Sequence, residues 1–156
     1  MYRSTLGFRR TAAERRDPML AWARDDVSFF AAGACHILAW AFAATHLGFG
    51  IIYLRPVGSL PGHHVYATDG MWAFDHCGWT PEAELLAVTS ADYRRAYPGW
   101  RCERIPVRTD IETFCRNNNH RSPAQFPYPP WQRAHAFIAR LAPGNGGANP
   151  RASARP

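Results

Sequence analysis

Seventeen residues, His63 to Trp79 (HHVYATDGMWAFDHCGW), constrain the fold more than any other stretch of this chain. Two runs rich in β-branched and aromatic residues flank Asp69-Gly70, and an aspartate-glycine pair between such runs is a strong short-range hairpin signal. A two-residue turn there opposes Thr68 to Met71, Ala67 to Trp72, Tyr66 to Ala73, Val65 to Phe74 and His64 to Asp75. Directly opposed residues hold their Cβ atoms roughly 4.5–5.5 Å apart, close enough for an imidazole to meet a carboxylate. The pattern therefore predicts a His64–Asp75 pair. It also predicts one apolar face (Val65, Ala67, Trp72, Phe74) and one mixed face suited to a site (His64, Tyr66, Thr68, Met71, Ala73, Asp75). A slip of one residue would instead bring His63 to Asp75.

An acid that fixes the tautomer of a histidine is half of a catalytic triad, and the missing member is a nucleophile. Upstream, Ala31-Ala32-Gly33-Ala34-Cys35-His36 places Cys35 just after a glycine, at the expected first turn of an apolar helix. There the positive end of the helix dipole favours the thiolate. Cys35, His64 and Asp75 are the candidate catalytic residues. The duller account of each is a buried small residue, a strand-end histidine and a turn aspartate. His36 points about 100° around the helix from Cys35 and reads as packing.

The rest of the chain supplies the framework. Asp17-Pro18 reads as an N-cap followed by proline at the first helical position. No charged residue occurs from Val27 to Leu54, and so long a run is first tested as a membrane span. Its glycines, histidines and alanines instead divide it into a buried helix over 34–46 and a strand over 50–54. The punctuated stretch from Arg55 to Gly62 is a loop. Thr80-Pro81-Glu82 reads as another N-cap, opening a helix toward Tyr93. A strand over 100–107 is expected at a sheet edge because Pro106 cannot donate a ladder bond. Thr109-Asp110 opens a further helix ending in Asn117-Asn118-Asn119. FPYPPW at 126–131 is an extended connector, and 131–141 is an amphipathic helix. The expectation is an α+β fold with a sheet of four or so antiparallel strands. Residues 1–17 would be a loosely ordered basic segment, 18–142 a single domain and 143–156 a disordered tail.

Composition narrows the function only in part. The formal charge is +6 and all 18 basic residues are arginine. Such a balance permits nucleic acid or an acidic partner without selecting either. The absence of lysine fits a GC-rich coding bias, or an enzyme that joins acyl groups to amines. Four cysteines without a C-x-x-C pair give neither a zinc motif nor a disulfide framework, which implies a reducing compartment. His63, His76 and Cys77 form a candidate zinc cluster lacking a fourth ligand, so no metal or other cofactor is expected. The polar N-terminus is no secretory signal, which points to the cytoplasm, or to export as an effector by another route.

The order of a helix-borne cysteine (G-A-C-H), a histidine beginning a strand (H-V-Y) and an acid on the next strand (W-A-F-D) resembles the papain-like superfamily. It is most similar to transglutaminase-like proteins and bacterial cell-wall endopeptidases, over about residues 30 to 79. The resemblance implies a papain-like fold with Cys35 as nucleophile, His64 as general base and acid, and Asp75 orienting His64. The backbone N–H of Cys35 would be one oxyanion donor. No glutamine precedes Cys35, so the second donor has no counterpart, and Tyr53 is a stand-in. The implied activity is hydrolysis, deamidation or acyl transfer on a protein or peptide amide. The rival is a catalytically silent basic module that binds a protein or nucleic acid.

Overall fold

The β-branched run Ile51-Ile52 opens the central strand of the molecule. In the computed structural model, which describes residues 1–141, β1 (Gly50–Pro56) is flanked on both sides. It pairs antiparallel with β2 (His64–Thr68) and with β5 (Cys102–Val107). Beyond β2 lie β3 (Trp72–Asp75) and β4 (Gly78–Pro81), giving the five-stranded order β4-β3-β2-β1-β5. The fold is α+β. Pro106 sits in β5 at the edge, as its missing donor requires.

The hairpin forms, but its centre lies one residue later than expected. Ala67 pairs with Phe74 and Thr68 with Ala73, and the Asp69 N–H donates to the Trp72 carbonyl at 3.2 Å. The turn residues are therefore Gly70-Met71. Asp69 acts as a local cap instead of a turn centre, its Oδ1 accepting from the N–H groups of Met71 (3.0 Å) and Trp72 (2.8 Å). Gly70 supplies the positive φ of 92° that the first turn position needs. Moving the centre by one residue changes every partner by two, so each side chain keeps its face. Extending this register sets Tyr66 opposite Asp75 and makes His64 a diagonal neighbour of the acid.

Helices cover both faces. The apolar segment predicted over 34–46 is α4 (Cys35–Thr45), preceded by α1 (Ala12–Arg16), α2 (Pro18–Trp22) and α3 (Asp26–Ala31). Asp17 caps α2 through Oδ1, and Asp25 caps α3. α4 lies on the face bearing Val65, Ala67 and Phe74, together with α6 (Ile111–Asn118) and α7 (Pro130–Arg140). The opposite face is also core: Ile52, Leu54, Tyr66 and Ala73 pack on Leu85 of α5 (Glu82–Ala96). The alternate polar residues of this face predict a mixed surface, yet His64 is buried against Asp75 and Tyr66 against Glu82.

Two more expectations change. Thr80 is not the cap of the next helix: it pairs with Ala73 in β4, and Pro81 holds the N-cap position of α5, which begins at Glu82, without a side-chain bond. Of residues 1–17, the segment 2–8 is docked on the molecule and 11–17 is largely exposed. Tyr2 is 4% exposed, Ser4 Oγ donates to Asp92 at 2.6 Å, and the hydroxyls of Thr5 and Tyr93 are 2.9 Å apart. Small hydroxyl and aromatic side chains among the arginines provide these anchors. The expected tail, 143–156, lies outside the described residues. Among the described residues no helix is long and apolar enough to cross a membrane, and the uncharged run divides among α3, α4 and β1.

Candidate active site

Cys35 is the first residue of α4, and its preceding N-cap, Ala34, offers no side chain to the helix N-terminus. The first-turn N–H groups thus have no side-chain cap, and their dipole favours negative charge on the sulfur. The thiol is 7% exposed and lines a cleft of about 690 Å³. Burial by itself would push it up, but the neighbouring imidazoles of His120, His36 and His64 outweigh burial and hold it well below an ordinary thiol.

His64 begins β2 and is fully buried. Its Nε2–H donates to Asp75 Oδ2 at 2.8 Å, so the predicted pair is present, reached diagonally across the hairpin. Nδ1 has no aligned hydrogen-bond partner. Burial disfavours the imidazolium, yet Asp75 and then Cys35 raise the pKa of His64 above its usual value. Cys35, His64 and Asp75 therefore form one electrostatically connected series, running from α4 through β2 to β3.

Asp75 is 2% exposed and well supplied with donors. Besides His64 it accepts from Tyr2 Oη at 3.1 Å and, on Oδ1, from the Cys77 N–H at 2.8 Å. His76 Nδ1 lies 3.2 Å from Oδ2, off the line of a hydrogen bond but within ion-pair range. Burial would raise the carboxyl, but the charge of His76 and the hydrogen bond from His64 hold it far below the usual carboxylate range. His76 is raised to about 10: burial opposes its charge and Asp75 more than compensates. His76 Nε2–H donates to the Arg3 carbonyl at 3.0 Å.

His120 is the participant that sequence reasoning missed. α6 ends at Asn119 in the left-handed conformation (φ 53°), and the His120 N–H returns to the Cys115 carbonyl at 3.0 Å. That reversal sets the imidazole beside Cys35, with its Nδ1 bonded to the Asn118 carbonyl at 2.9 Å. Three asparagines before a histidine signal a helix end, but nothing in them points to a residue 85 positions upstream. His36 is buried, as expected of a packing residue, with Nε2 donating to the Arg121 carbonyl at 2.7 Å. It also packs edge-on against His120 at 5.1 Å and helps to lower the thiol pKa.

One ligand atom each from Cys35, His36 and His120 lies within 4.8 Å of the others, a spacing that would suit a thiophilic ion such as zinc. The group His64, Asp75 and His76 has the same spacing. The expected grouping of His63, His76 and Cys77 does not form. His63 Nδ1 instead meets Tyr53 Oη at 2.6 Å, while Cys77 Sγ points to the Arg3 carbonyl at 3.4 Å. That bond engages Tyr53, the stand-in for a second oxyanion donor. No protein-family model, curated protein or solved structure matches the chain.

Proposed function

We propose that the protein performs cysteine-dependent acyl chemistry of the papain-like kind on an amide or ester of a protein or peptide. One observation carries this reading: a thiol at a helix N-terminus, held well below its ordinary pKa beside a histidine whose far nitrogen is bonded to a buried aspartate. A cysteine that only fills a core would have its pKa raised by burial, as Cys115 does at about 11.

In this reading Cys35 and His64 rest as thiolate and imidazolium. The sulfur attacks the carbonyl carbon, the carbonyl electrons move to oxygen, and the Cys35 N–H faces that oxyanion. As the tetrahedral adduct collapses, His64 gives its Nδ1 proton to the leaving amine or alkoxide. The acyl-enzyme then passes to water, with His64 taking the proton, or to an amine acceptor. Asp75 keeps the Nε2–H tautomer and the orientation of the ring, which leaves Nδ1 toward the chemistry. His120 is a second imidazole stabilising the thiolate.

The test is alkylation of all four cysteines by iodoacetamide as a function of pH, read by peptide mass spectrometry in the wild type and in His64→Ala. Cys35 should react at pH values well below the ordinary thiol pKa of about 8.5, and His64→Ala should remove that low-pH reactivity. A Cys35 that titrates like the other cysteines in both proteins excludes the catalytic reading and favours a binding module.

A further inference from the structure

The cleft above Cys35 is lined by Arg9, Arg10, Arg15 and Arg121, and by no aspartate or glutamate. Elsewhere several arginines are matched by acids: Asp26 pairs with Arg133 and Arg140, Glu82 with Arg104 and Glu103 with Arg55. Among the described residues none of the four cleft arginines has a carboxylate within ion-pair distance. Arg9 donates to the Tyr97 hydroxyl, and Arg121 lies over the Phe126 ring at 5.1 Å. Both are held without being neutralised.

Arg10 is the most constrained. It is half-buried, and burial, then the charges of Arg121, Arg24 and Arg15, all act against its own charge. Its guanidinium lies on the backbone of Gly33, two residues before Cys35. A Cβ at Gly33 would stand 3.3 Å from Arg10 Cζ and Nε, so the glycine (φ 111°) leaves room for the guanidinium at this spot. Mutually repelling, unpaired and partly desolvated guanidinium groups are unfavourable alone and favourable around an anion. Their planar forks match the paired oxygens of a carboxylate or phosphate.

We propose that Arg10 and Arg121 form an anion subsite beside Cys35, and that the substrate is an acyl compound carrying a carboxylate or phosphate a few bonds from its reacting carbonyl. This rests on Cys35 being the reactive group. Carboxymethylation by iodoacetate and carbamidomethylation by iodoacetamide separate the two ideas. Each forms one S–C bond with loss of iodide, and the reagents differ in charge.

The quantity to measure is the ratio of iodoacetate to iodoacetamide rate at Cys35, against the same ratio for N-acetylcysteine. At low salt the ratio should exceed that of the free thiol roughly tenfold, and it should collapse in molar sodium chloride. Arg10→Gln and Arg121→Gln should each lower it several-fold with unchanged circular dichroism melting, and Arg10→Lys should retain part of it. Protection of Cys35 from iodoacetamide by inorganic phosphate but not acetate would identify the phosphate source, and the reverse the carboxylate. A wild-type ratio equal to that of the free thiol, or one that both glutamine variants leave intact, overturns the subsite while rapid iodoacetamide labelling keeps the catalytic reading. Slow labelling by both reagents overturns the two together.

Discussion

Two clusters of histidines meet at His64, and they differ in what surrounds the central anion. Around Asp75 everything is closed: Tyr2, His64 and the Cys77 amide supply donors, His76 adds an ion pair, and the acid is 2% exposed. Around Cys35 the partners are imidazoles alone, and the fourth side opens to a cleft lined with arginine. A buried anion saturated with donors is inert and holds its neighbours in place. One that is stabilised and still reachable is suited to act as a nucleophile. On the proposed reading the contrast gives rigidity to the first cluster and reactivity to the second, and substitutions can separate these properties.

The largest expected effect is at the closed cluster. Asp75→Asn removes the carboxylate charge that His64 and His76 share, and leaving buried cationic partners without their acid costs about 3–5 kcal/mol. Urea denaturation should show that loss. Cys35→Ser, by contrast, should shift stability within about 1 kcal/mol while abolishing alkylation at that position. Equal destabilisation by the two changes would erase the distinction between scaffold and nucleophile.

pH reads the same contrast. Asp75 is depressed below its ordinary 3.8, so its contribution to stability is present above that value and lost as the solution is acidified through the folded pKa. His76 is raised from 6.5 to about 10, so its contribution is complete below 6.5 and lost as pH rises toward 10. The midpoint of urea unfolding should therefore plateau between roughly pH 4 and 6.5 and decline on both sides. His76→Gln should flatten the alkaline decline and also make the acid one shallower, because the charge of His76 is the leading cause that depresses Asp75.

Next in size is His120→Ala. Among the groups that lower the Cys35 pKa, His120 is the largest. A hydrogen bond to a charged group is worth about 1.5–3 kcal/mol, so alkylation at pH 6 should slow roughly tenfold or more. The pH–rate profile should shift to higher pH, with no comparable loss of stability. An unshifted profile would leave His36 and His64 as the thiol's partners.

The two clusters were unequally legible in the sequence. Local rules found His64 and Asp75, since alternation assigns faces even when the turn centre is misplaced by one residue. They also found α4, because glycine and alanine mark its start and Leu47-Gly48 its end. They missed β4, where Thr80-Pro81 carries the signature of a helix cap but is captured by pairing with β3. Tyr2 and His120 escaped for a shared reason. Each reaches its partner through tertiary docking: Tyr2 by folding of the N-terminus over β3, and His120 by the left-handed reversal at Asn119. Neither of these is written in a neighbouring motif.

The smallest effect sharpens the comparison most. Tyr2→Phe removes one of the donors to Asp75 Oδ2 and leaves His64 and His76 in place, so the carboxylate is not orphaned and the cost should be about 1 kcal/mol. If Asp75 serves chemistry by holding His64, the loss of a donor that touches only the acid should leave Cys35 alkylation nearly unchanged. The same variant should unfold at slightly lower urea, because Tyr2 also ties the N-terminal segment to the sheet. A fall in alkylation approaching that of Asp75→Asn would mean that the N-terminus tunes His64 through the shared carboxylate. Docking of residues 2–8 would then belong to the reactive machinery as well as to the scaffold.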